Sequence, residues 1–314
     1  MTQLDSTINK IELYPDKNQS RMKNILGQLF KHRHPYLFIS PFFIFFAIFG
    51  LYPVVFSFYL SFHRWNGVGE ARFIGLDNFE RMLKDKIFIQ SFENSVIIFA
   101  LYVPLMIFLA LFIAVLLNSP KVRGFRIFRT IIFMPFITNM IAAGFAFQIM
   151  FNTNYGLINV TLDNLGLGKV GWLDTPETAR ISLAIVIVWA WLGYNTVLML
   201  AGLQTISSDL SEAARVDGAN HYQVFFYITI PLMRPIILFA IVMSTMGTFG
   251  LFAEVDALTG GGPSNATITP LIKIYGNAFS QFQFGYASAM SYVYFLVIFG
   301  LTMIQLRLFR SEEN

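Results

Sequence analysis

The sequence predicts an all-α polytopic membrane protein with six transmembrane helices, on three observations. Charged residues make up only 13% of the 314 residues and hydrophobic residues 55%, whereas a soluble domain carries about 25% charged residues. Six separate segments are apolar over the roughly 20 residues that a helix needs to cross the hydrocarbon core of a bilayer. The chain also has 35 phenylalanines, which lipid accommodates readily.

The six segments follow one another along the chain, with polar connections between them. They lie at about 36–62, 95–117, 125–151, 181–203, 235–258 and 287–308. Several prolines fall inside or near these segments, but neighbouring helices can satisfy the backbone groups that a proline frees, so the prolines do not exclude helices.

Basic residues predict which side of the membrane each connection faces. They occur without any acid in the link between the second and third segments, and they also lie just before the first segment and at the end of the last one. With six spans these three regions share one side, which the positive-inside rule identifies as the cytoplasm. We therefore expect both termini to be cytoplasmic. The expected divisions are a tail at 1–35, a membrane domain at 36–310 with a cytoplasmic loop at 205–234, and a tail at 311–314.

The remaining connections, at 63–94, 152–180 and 259–286, are then expected to face outward. The first of them resists this topology, because it carries five basic residues. It carries five acids as well, and it is long enough to form a small folded cap. We therefore keep six spans with cytoplasmic termini as the prediction.

Residue types argue against catalysis on this chain. The sequence has no cysteine, which excludes disulfides, thiolate nucleophiles and cysteine-ligated metals. It has no phosphate-binding loop, no histidine pair with metal-ligand spacing and no nucleophile elbow. We expect no enzyme activity, metal or cofactor on this chain. Nucleic acid is not expected as a partner either, because no basic patch is dense enough.

The polar segment at 205–234 is the most informative part of the sequence, and it predicts two short helices. Residues 207–209 are all suitable N-caps, and Asp209 and Glu212 have the spacing of a capping box. The first helix is predicted at about 210–217.

Gly218 is suited to end this first helix in a left-handed turn. The second helix is predicted at about 219–230. Pro231 is expected to stop it, because proline cannot continue the hydrogen-bond ladder of a helix. The chain is then predicted to re-enter the membrane near Pro235.

The first of these helices carries a narrow face of small residues, which allows close approach by another protein. The face has helical spacing and comprises Leu210, Ala213, Ala214 and Asp217. A helix that lies on lipid is the alternative, but such helices are usually rich in Lys and Arg, and this one is acidic. Glu212 also has two open interpretations, since it could cap its own helix or contact a partner.

The same segment resembles a known motif. Glu212 begins a Glu-Ala-Ala triplet, which is followed at fixed spacing by Gly218 and Ile228 and then by Ile230 and Pro231. This pattern resembles the EAA loop of bacterial ABC-importer permeases. The family pattern ends in Leu-Pro, so Ile230 is a mild departure. Shorter pieces are similar to the maltose-type carbohydrate branch, and to the first of its two permease subunits. They are FIGLDNF at 73–79, WLGYN at 191–195, DGA at 217–219 and LTGGGP at 258–263.

The resemblance covers about 36–308 and implies an ABC type I importer permease fold in a bacterial inner membrane. It implies a second permease subunit, two ATPase subunits that bind ATP and Mg²⁺, an extracellular solute-binding protein and a sugar or oligosaccharide substrate. The 205–234 loop would be a coupling helix that docks on an ATPase. The residues implied in that contact are Glu212, Ala213, Ala214, Asp217 and Gly218, with Glu212 meeting a basic residue and Gly218 making the bend.

A sugar path should be polar and aromatic, because sugars offer hydroxyls and flat C–H faces. Polar and aromatic residues cluster in the fourth and fifth segments, and the resemblance implies sugar contacts there. The candidate path residues are Leu192, Gly193, Tyr194, Asn195, Ser244, Thr248 and Phe252, the last three on one predicted helix face. Hydroxyl residues also pack membrane helices together, so lining and packing both stay open. Asparagines that the family pattern has on the fifth segment are absent, so this subunit either binds a different sugar or supplies only walls.

The glycine-rich stretch at 259–263 predicts an exposed outer turn with positive φ angles. The resemblance implies a gate or a docking surface there for the solute-binding protein. Two rival functions stay open: an ABC importer for another solute, such as glycerol phosphate or a polyol, and an ion-coupled secondary transporter. The second rival is disfavoured because the interiors of the apolar segments contain almost no ionisable groups.

Overall fold

The computed structural model describes residues 33–118 and 125–310. The predictions for 1–32, for the basic link at 119–124 and for 311–314 lie outside the described residues. The chain divides into two compact units, 1–57 and 58–314.

The described part of the first unit is helical throughout. Helix α1 (Arg33–Phe45) leads through a π-helical stretch (Phe46–Leu51) into α2 (Tyr52–Ser61), which extends into the second unit. Tyr36–Ser61 is long and apolar enough to cross a membrane, as predicted for the first span.

The second unit is built from helices and one very small sheet. Strands β1 (His63–Arg64) and β2 (Arg72–Phe73) form an antiparallel pair. The helices are α3 (Asp77–Leu83), α4 (Lys86–Leu117), α5 (Phe125–Phe133), α6 (Met140–Met150), α7 (Leu157–Asn164), α8 (Pro176–Leu203), α9 (Ser208–Val216), α10 (His221–Val224), α11 (Ile230–Phe249), α12 (Ala253–Leu258), α13 (Pro270–Tyr275) and α14 (Phe284–Arg310).

Helices α4 and α8 run parallel to each other at the centre of the second unit. Near their N-terminal ends, Ile98 and Leu183 share one buried apolar cluster. Near their C-terminal ends, Ala114 and Leu203 share another, which Met233 of α11 joins. Because the early residues of both helices pack together and so do the late ones, the chain between α4 and α8 must cross back over the unit.

That return crossing is a broken helix, and the prediction of one continuous span at 125–151 is wrong. Segments Ile127–Ile137 and Met140–Met150 are bent by 94° relative to each other. A 3₁₀ turn (Met134–Ile137) that contains Pro135 ends the first segment. Asn139 then starts α6, because its side chain accepts hydrogen bonds from the N–H groups of Ile141 and Ala142. With this pair counted once, the described residues hold six candidate spans.

The other spans differ from the predicted ones at their ends. Helices α4 and α8 begin several residues before the apolar stretches, because Asp85 and Thr175 cap them at polar sites. The fifth span ends at Phe249, and α12 is a separate short helix rather than its last turns. Apolar content predicts the part of a helix that lies in lipid, whereas caps decide where the helix begins.

Candidate functional site

The 205–234 segment forms a helix, a sharp turn and a second helix, as predicted. Helix α9 begins after Ser207, whose side chain accepts a hydrogen bond from the Asp209 N–H. The expected capping box between Asp209 and Glu212 is therefore wrong, because the cap lies two residues earlier and Asp209 sits in the first turn. Within the described residues the Glu212 side chain is exposed and makes no hydrogen bond or ion pair, so its capping interpretation is also wrong.

The turn after α9 is tightly specified by hydrogen bonds. Gly218 has a φ of 90°, a left-handed conformation that favours glycine. Its N–H donates to the carbonyl of Arg215 (3.1 Å), and the Ala219 N–H donates to the carbonyl of Ala214 (2.9 Å). This pair of bonds is a Schellman motif, which satisfies the last carbonyls of a helix. The predicted bend at Gly218 is confirmed.

Asn220 starts the second helix with a reciprocal capping box. The Gln223 N–H donates to the side-chain oxygen of Asn220 (2.9 Å), and the Asn220 N–H donates to the side-chain oxygen of Gln223 (2.8 Å). Together with the Schellman motif, this box fixes the angle between the two helices without help from another subunit.

Pro231 does not stop the second helix, contrary to prediction. The chain runs as one helical stretch from His221 to Phe249, through a π-helical turn at Phe225–Thr229. In that turn the Ile230 N–H donates to the carbonyl of Phe225, one residue farther back than in an α-helix. A π turn inserted just before a proline shifts the hydrogen-bond ladder, so the missing N–H of Pro231 does not end the helix.

Four of the five predicted coupling residues are exposed, and Ala214 is half-buried. Large apolar side chains around the turn are exposed too, including Val216 (87%), Tyr222 (77%) and Tyr227 (78%). Beside the turn lies a cavity of about 300 Å³ that Asp217, Gly218 and Tyr227 help to line. A rigid turn with uncovered apolar side chains and a cavity is the kind of surface that a protein partner covers.

The predicted path residues of α8 lie where this helix meets the broken span. Gly193 is buried, and a β-carbon there would lie 2.1 Å from the carbonyl oxygen of Ile132. Only glycine therefore permits this approach. Tyr194 stacks on Phe136 with ring centroids 5.1 Å apart, and the Asn195 amide donates to the carbonyl of Trp191 (3.0 Å). Leu192 packs against the cluster shared by α4, α8 and α11.

The predicted path residues around the fifth span separate into two groups. Ser244 and Thr248 are buried on α11, and the Thr248 hydroxyl bonds to the Tyr102 hydroxyl of α4 (2.6 Å) and to the Ser244 carbonyl (2.6 Å). Phe252 lies beyond the end of α11, and its ring packs on Tyr275 at 4.8 Å. The expected single face is therefore wrong, because the helix ends at Phe249. Tyr102 is a polar neighbour that sequence reasoning did not find.

The glycine-rich stretch has the predicted conformation but is less exposed than predicted. Gly260 and Gly261 have φ angles of 58° and 88°, yet Gly261 is buried. The hydroxyls of Thr259 and Thr267 lie 2.7 Å apart, and the Thr267 hydroxyl donates to the carbonyl of Gly262 (2.8 Å). These bonds close the stretch into a compact loop.

Arg180 and Asn94 fasten this loop to the central helices. The Arg180 guanidinium donates to the Ala266 carbonyl (2.9 Å) and to the Asn94 side-chain oxygen (2.9 Å). The Asn94 amide donates in turn to the carbonyls of Asn265 (2.7 Å) and Ile268 (3.0 Å). The loop therefore moves with α4 and α8. The only sequence signal for this clamp was that Asn94 and Arg180 each stand directly before a predicted apolar segment.

Asp85 joins three elements at the same end of the molecule. One carboxylate oxygen accepts from the N–H groups of Ile87 (3.0 Å) and Phe88 (3.1 Å), which caps α4. The other accepts from the Tyr286 hydroxyl (3.0 Å) and pairs with the Lys273 ammonium (3.1 Å). Burial raises the pKa of the Asp85 carboxyl, but these hydrogen bonds and the Lys273 charge lower it more, so the pKa lies below its ordinary value.

Replacing Asp85 with asparagine is expected to lower stability by about 2 kcal/mol at neutral pH, since bonds to a charged group and a helix cap weaken together. The lowered pKa means that the carboxylate stabilises the fold above its unfolded-state pKa of about 4, and that this stabilisation is lost as the pH falls through the folded-state value. Thermal unfolding of both proteins should therefore differ at pH 7 and converge at acidic pH. The exposed Asp163 on α7, changed to asparagine, is the control, and an undiminished difference at low pH would contradict this role.

Comparisons with known proteins agree with this architecture. The family model described as "Binding-protein-dependent transport system inner membrane component" matches residues 94–311. The lactose transport system permease protein LacF of Rhizobium radiobacter is 38% identical over 88% of this chain and 94% of its own length. The trehalose/maltose transport system permease protein MalF of Thermococcus litoralis is 34% identical over 93% and 100%, respectively.

Among solved structures, a crystal structure of a bacterial ABC transporter for the acidic polysaccharide alginate is similar to this chain. The TM-score is 0.80, and the match covers 92% of this chain and 99% of that one. The sequence identity is 20%, so the match speaks for the fold alone. The predicted ABC importer permease fold is confirmed.

Proposed function

Because the chain belongs to the family of binding-protein-dependent transport system inner membrane components, we propose that it is a transmembrane subunit of an ATP-driven sugar importer. A solute-binding protein delivers a sugar or oligosaccharide on the outer side. A second permease subunit completes the path, and two ATPase subunits supply the energy. The observation that carries the proposal is the exposed, rigidly capped turn at 205–234 in a chain of this family.

The sugar class is supported by the relatives that match nearly their whole length. Their names give lactose and trehalose or maltose as the transported sugars. A phosphorylated solute is the alternative, and it would need cationic side chains along the path. The seven predicted path residues include no arginine or lysine, which favours an uncharged substrate.

The coupling role is supported by the geometry of the turn. Glu212 points a free carboxylate from a helix whose own cap is Ser207, so the carboxylate is available to a basic residue of an ATPase. The turn lies beyond the C-terminal end of α8, whereas the clamp at Arg180 lies near the N-terminal end. Motion of the turn would therefore act on the C-terminal end of α8, opposite to the end that holds the clamp.

The proposed orientation in the membrane assigns one side to each of these two ends. We place the 205–234 segment and both termini in the cytoplasm, as the basic residues predict. The loops that Asp85 and Arg180 fasten then face outward, where a solute-binding protein would dock. ATP and Mg²⁺ bind on the ATPase subunits, since this chain has no phosphate-binding loop.

Deletion of this chain's gene in its native bacterium tests the proposal through uptake of radiolabelled lactose, maltose and arabino-oligosaccharides. Uptake of at least one of these sugars should be lost and should return with a plasmid copy. It should also stop when ATP is depleted and persist when an ionophore collapses the ion gradients. Uptake that follows the ion gradient instead would support a secondary transporter.

A further inference from the structure

A cavity of about 500 Å³ lies beside the start of α14, away from the predicted path. The first outward connection and the residues just before α14 form its walls. Four charged side chains line it, together with aromatic and amide groups. The charged residues are Arg64, Glu70, Asp77 and Arg81.

The walls of this cavity are rigid. Strands β1 and β2 pair directly at His63 and Phe73, and the buried Asn78 amide donates to the carbonyls of Ser61 (2.9 Å) and His63 (3.0 Å). Gly285 of α14 lies so close to the strand that a β-carbon would fall 1.9 Å from the His63 carbonyl oxygen. A ligand would therefore meet a preformed site and would not have to order its walls.

Three charged side chains of the cavity are uncommitted. Within residues 33–118 and 125–310, none of the side chains of Arg64, Glu70 and Asp77 makes a hydrogen bond or an ion pair. Arg81 is held over the ring of Tyr286 at 4.0 Å. The carboxamide oxygen of Gln283 is buried and has no hydrogen-bond partner. The guanidinium of Arg64 can thus donate hydrogen bonds to a ligand, and the carboxylates of Glu70 and Asp77 can accept hydrogen bonds from it.

The chemistry of these groups favours a saccharide. Two guanidinium and two carboxylate groups balance each other, so the cavity does not select for net charge, and each can form a strong charge-assisted hydrogen bond to a hydroxyl. Trp65 and Phe282 add aromatic surface, which suits the apolar face of a sugar ring. We propose that this cavity is an outer binding site for an uncharged sugar unit, distinct from the path between α8 and α11.

This inference rests on the proposed function, because the cavity would bind the transported sugar before the sugar enters the path. The Arg81–Tyr286 contact and the bond from Tyr286 to Asp85 connect the cavity to the cap of α4. An occupied cavity would thus lie next to the elements that the outer loops fasten. Weak binding is expected, since the site is open on one side and holds a single sugar unit.

The test uses the whole transport complex in nanodiscs without the solute-binding protein, with maltose and lactose as probes. Saturation-transfer NMR should detect binding of at least one of them to the wild type. The double variant Arg64→Gln and Glu70→Gln keeps the net charge and leaves polar side chains at both positions, and its affinity should fall at least tenfold. The matched control is Arg72→Gln with Glu93→Gln, at two exposed residues of the same region that do not line the cavity, and its affinity should not change.

The outcomes separate this inference from the proposed function. Unchanged binding in the double variant, or binding of glucuronate in preference to both neutral sugars, would overturn the outer site while uptake by the wild type still supports a sugar importer. If the wild type binds neither probe although its cells take that sugar up, the cavity is only a solvated surface. If wild-type cells take up none of the tested sugars, the proposed function itself is overturned.

Discussion

Replacing Glu212 with alanine is expected to reduce sugar uptake at least tenfold while the chain stays folded and in the membrane. The side chain is exposed and bonds to no other described residue, and Ser207 caps its helix, so its removal costs the isolated chain little. In the complex, removal would leave a basic residue of the ATPase unpaired in an interface, which costs about 2–5 kcal/mol. Each 1.4 kcal/mol is a factor of about ten.

Glu177→Ala is the matched control for this experiment. Glu177 is likewise an exposed glutamate on a helix, but it lies in the first turn of α8, at the end of that helix away from the 205–234 segment. Uptake, co-purification of the ATPase and thermal stability of the chain are measured for both variants. Normal uptake with Glu212→Ala would refute docking through this residue. A lower thermal stability of the Glu212→Ala chain that accompanies the loss of uptake would assign Glu212 a structural role.

Sequence patterns predicted the elements that depend on local chemistry. Gly218 lies in the expected left-handed turn, because only glycine adopts this conformation at little cost. The apolar segments predicted the spans, since the length and hydrophobicity of a span are set by the bilayer. The break between the two helices of the 205–234 segment followed from this glycine, whereas the predicted capping box and the predicted end of the second helix were wrong.

Predictions failed where distant contacts decide the outcome. Pro231 continues its helix because a π turn accommodates it, and a sequence pattern does not specify that rearrangement. Thr248 was assigned to a helix face, but its hydroxyl bonds to Tyr102, 146 positions away. Whether the candidate path residues touch sugar stays a prediction, since the packing of α4 against α11 alone accounts for the burial of Thr248.

The clamp at Arg180 and the cap at Asp85 were not predicted at all. Asp85 was one of several acids that balanced basic residues in a long connection, yet it bonds to residues about 190 and 200 positions later. Single-sequence patterns hold no information about such pairs. They do show polar residues directly before an apolar segment, a signal that Asn94 and Arg180 share but Asp85 does not.

Replacing Gly285 with alanine is expected to destabilise the protein far more than the same change at Gly300. Both glycines lie on α14, but a β-carbon at Gly285 would overlap the His63 carbonyl oxygen at 1.9 Å, whereas no neighbouring atom among the described residues lies within 4 Å of one at Gly300. The neighbour at Gly285 is backbone and is fixed by strand pairing and by Asn78, so it cannot yield without disturbing the first connection. Overpacking of this kind costs about 1–3 kcal/mol.

At Gly300 alanine should instead raise stability by up to about 1 kcal/mol, because alanine is the better helix former. The melting temperature of the purified complex is measured for both variants. Protease cleavage within 64–72 reports whether the hairpin formed by β1 and β2 has been displaced. Faster cleavage is expected for Gly285→Ala alone. Equal melting temperatures for the two variants would show that α14 and the hairpin do not pack closely in the assembled protein, and the cavity beside them would then lose its rigid wall.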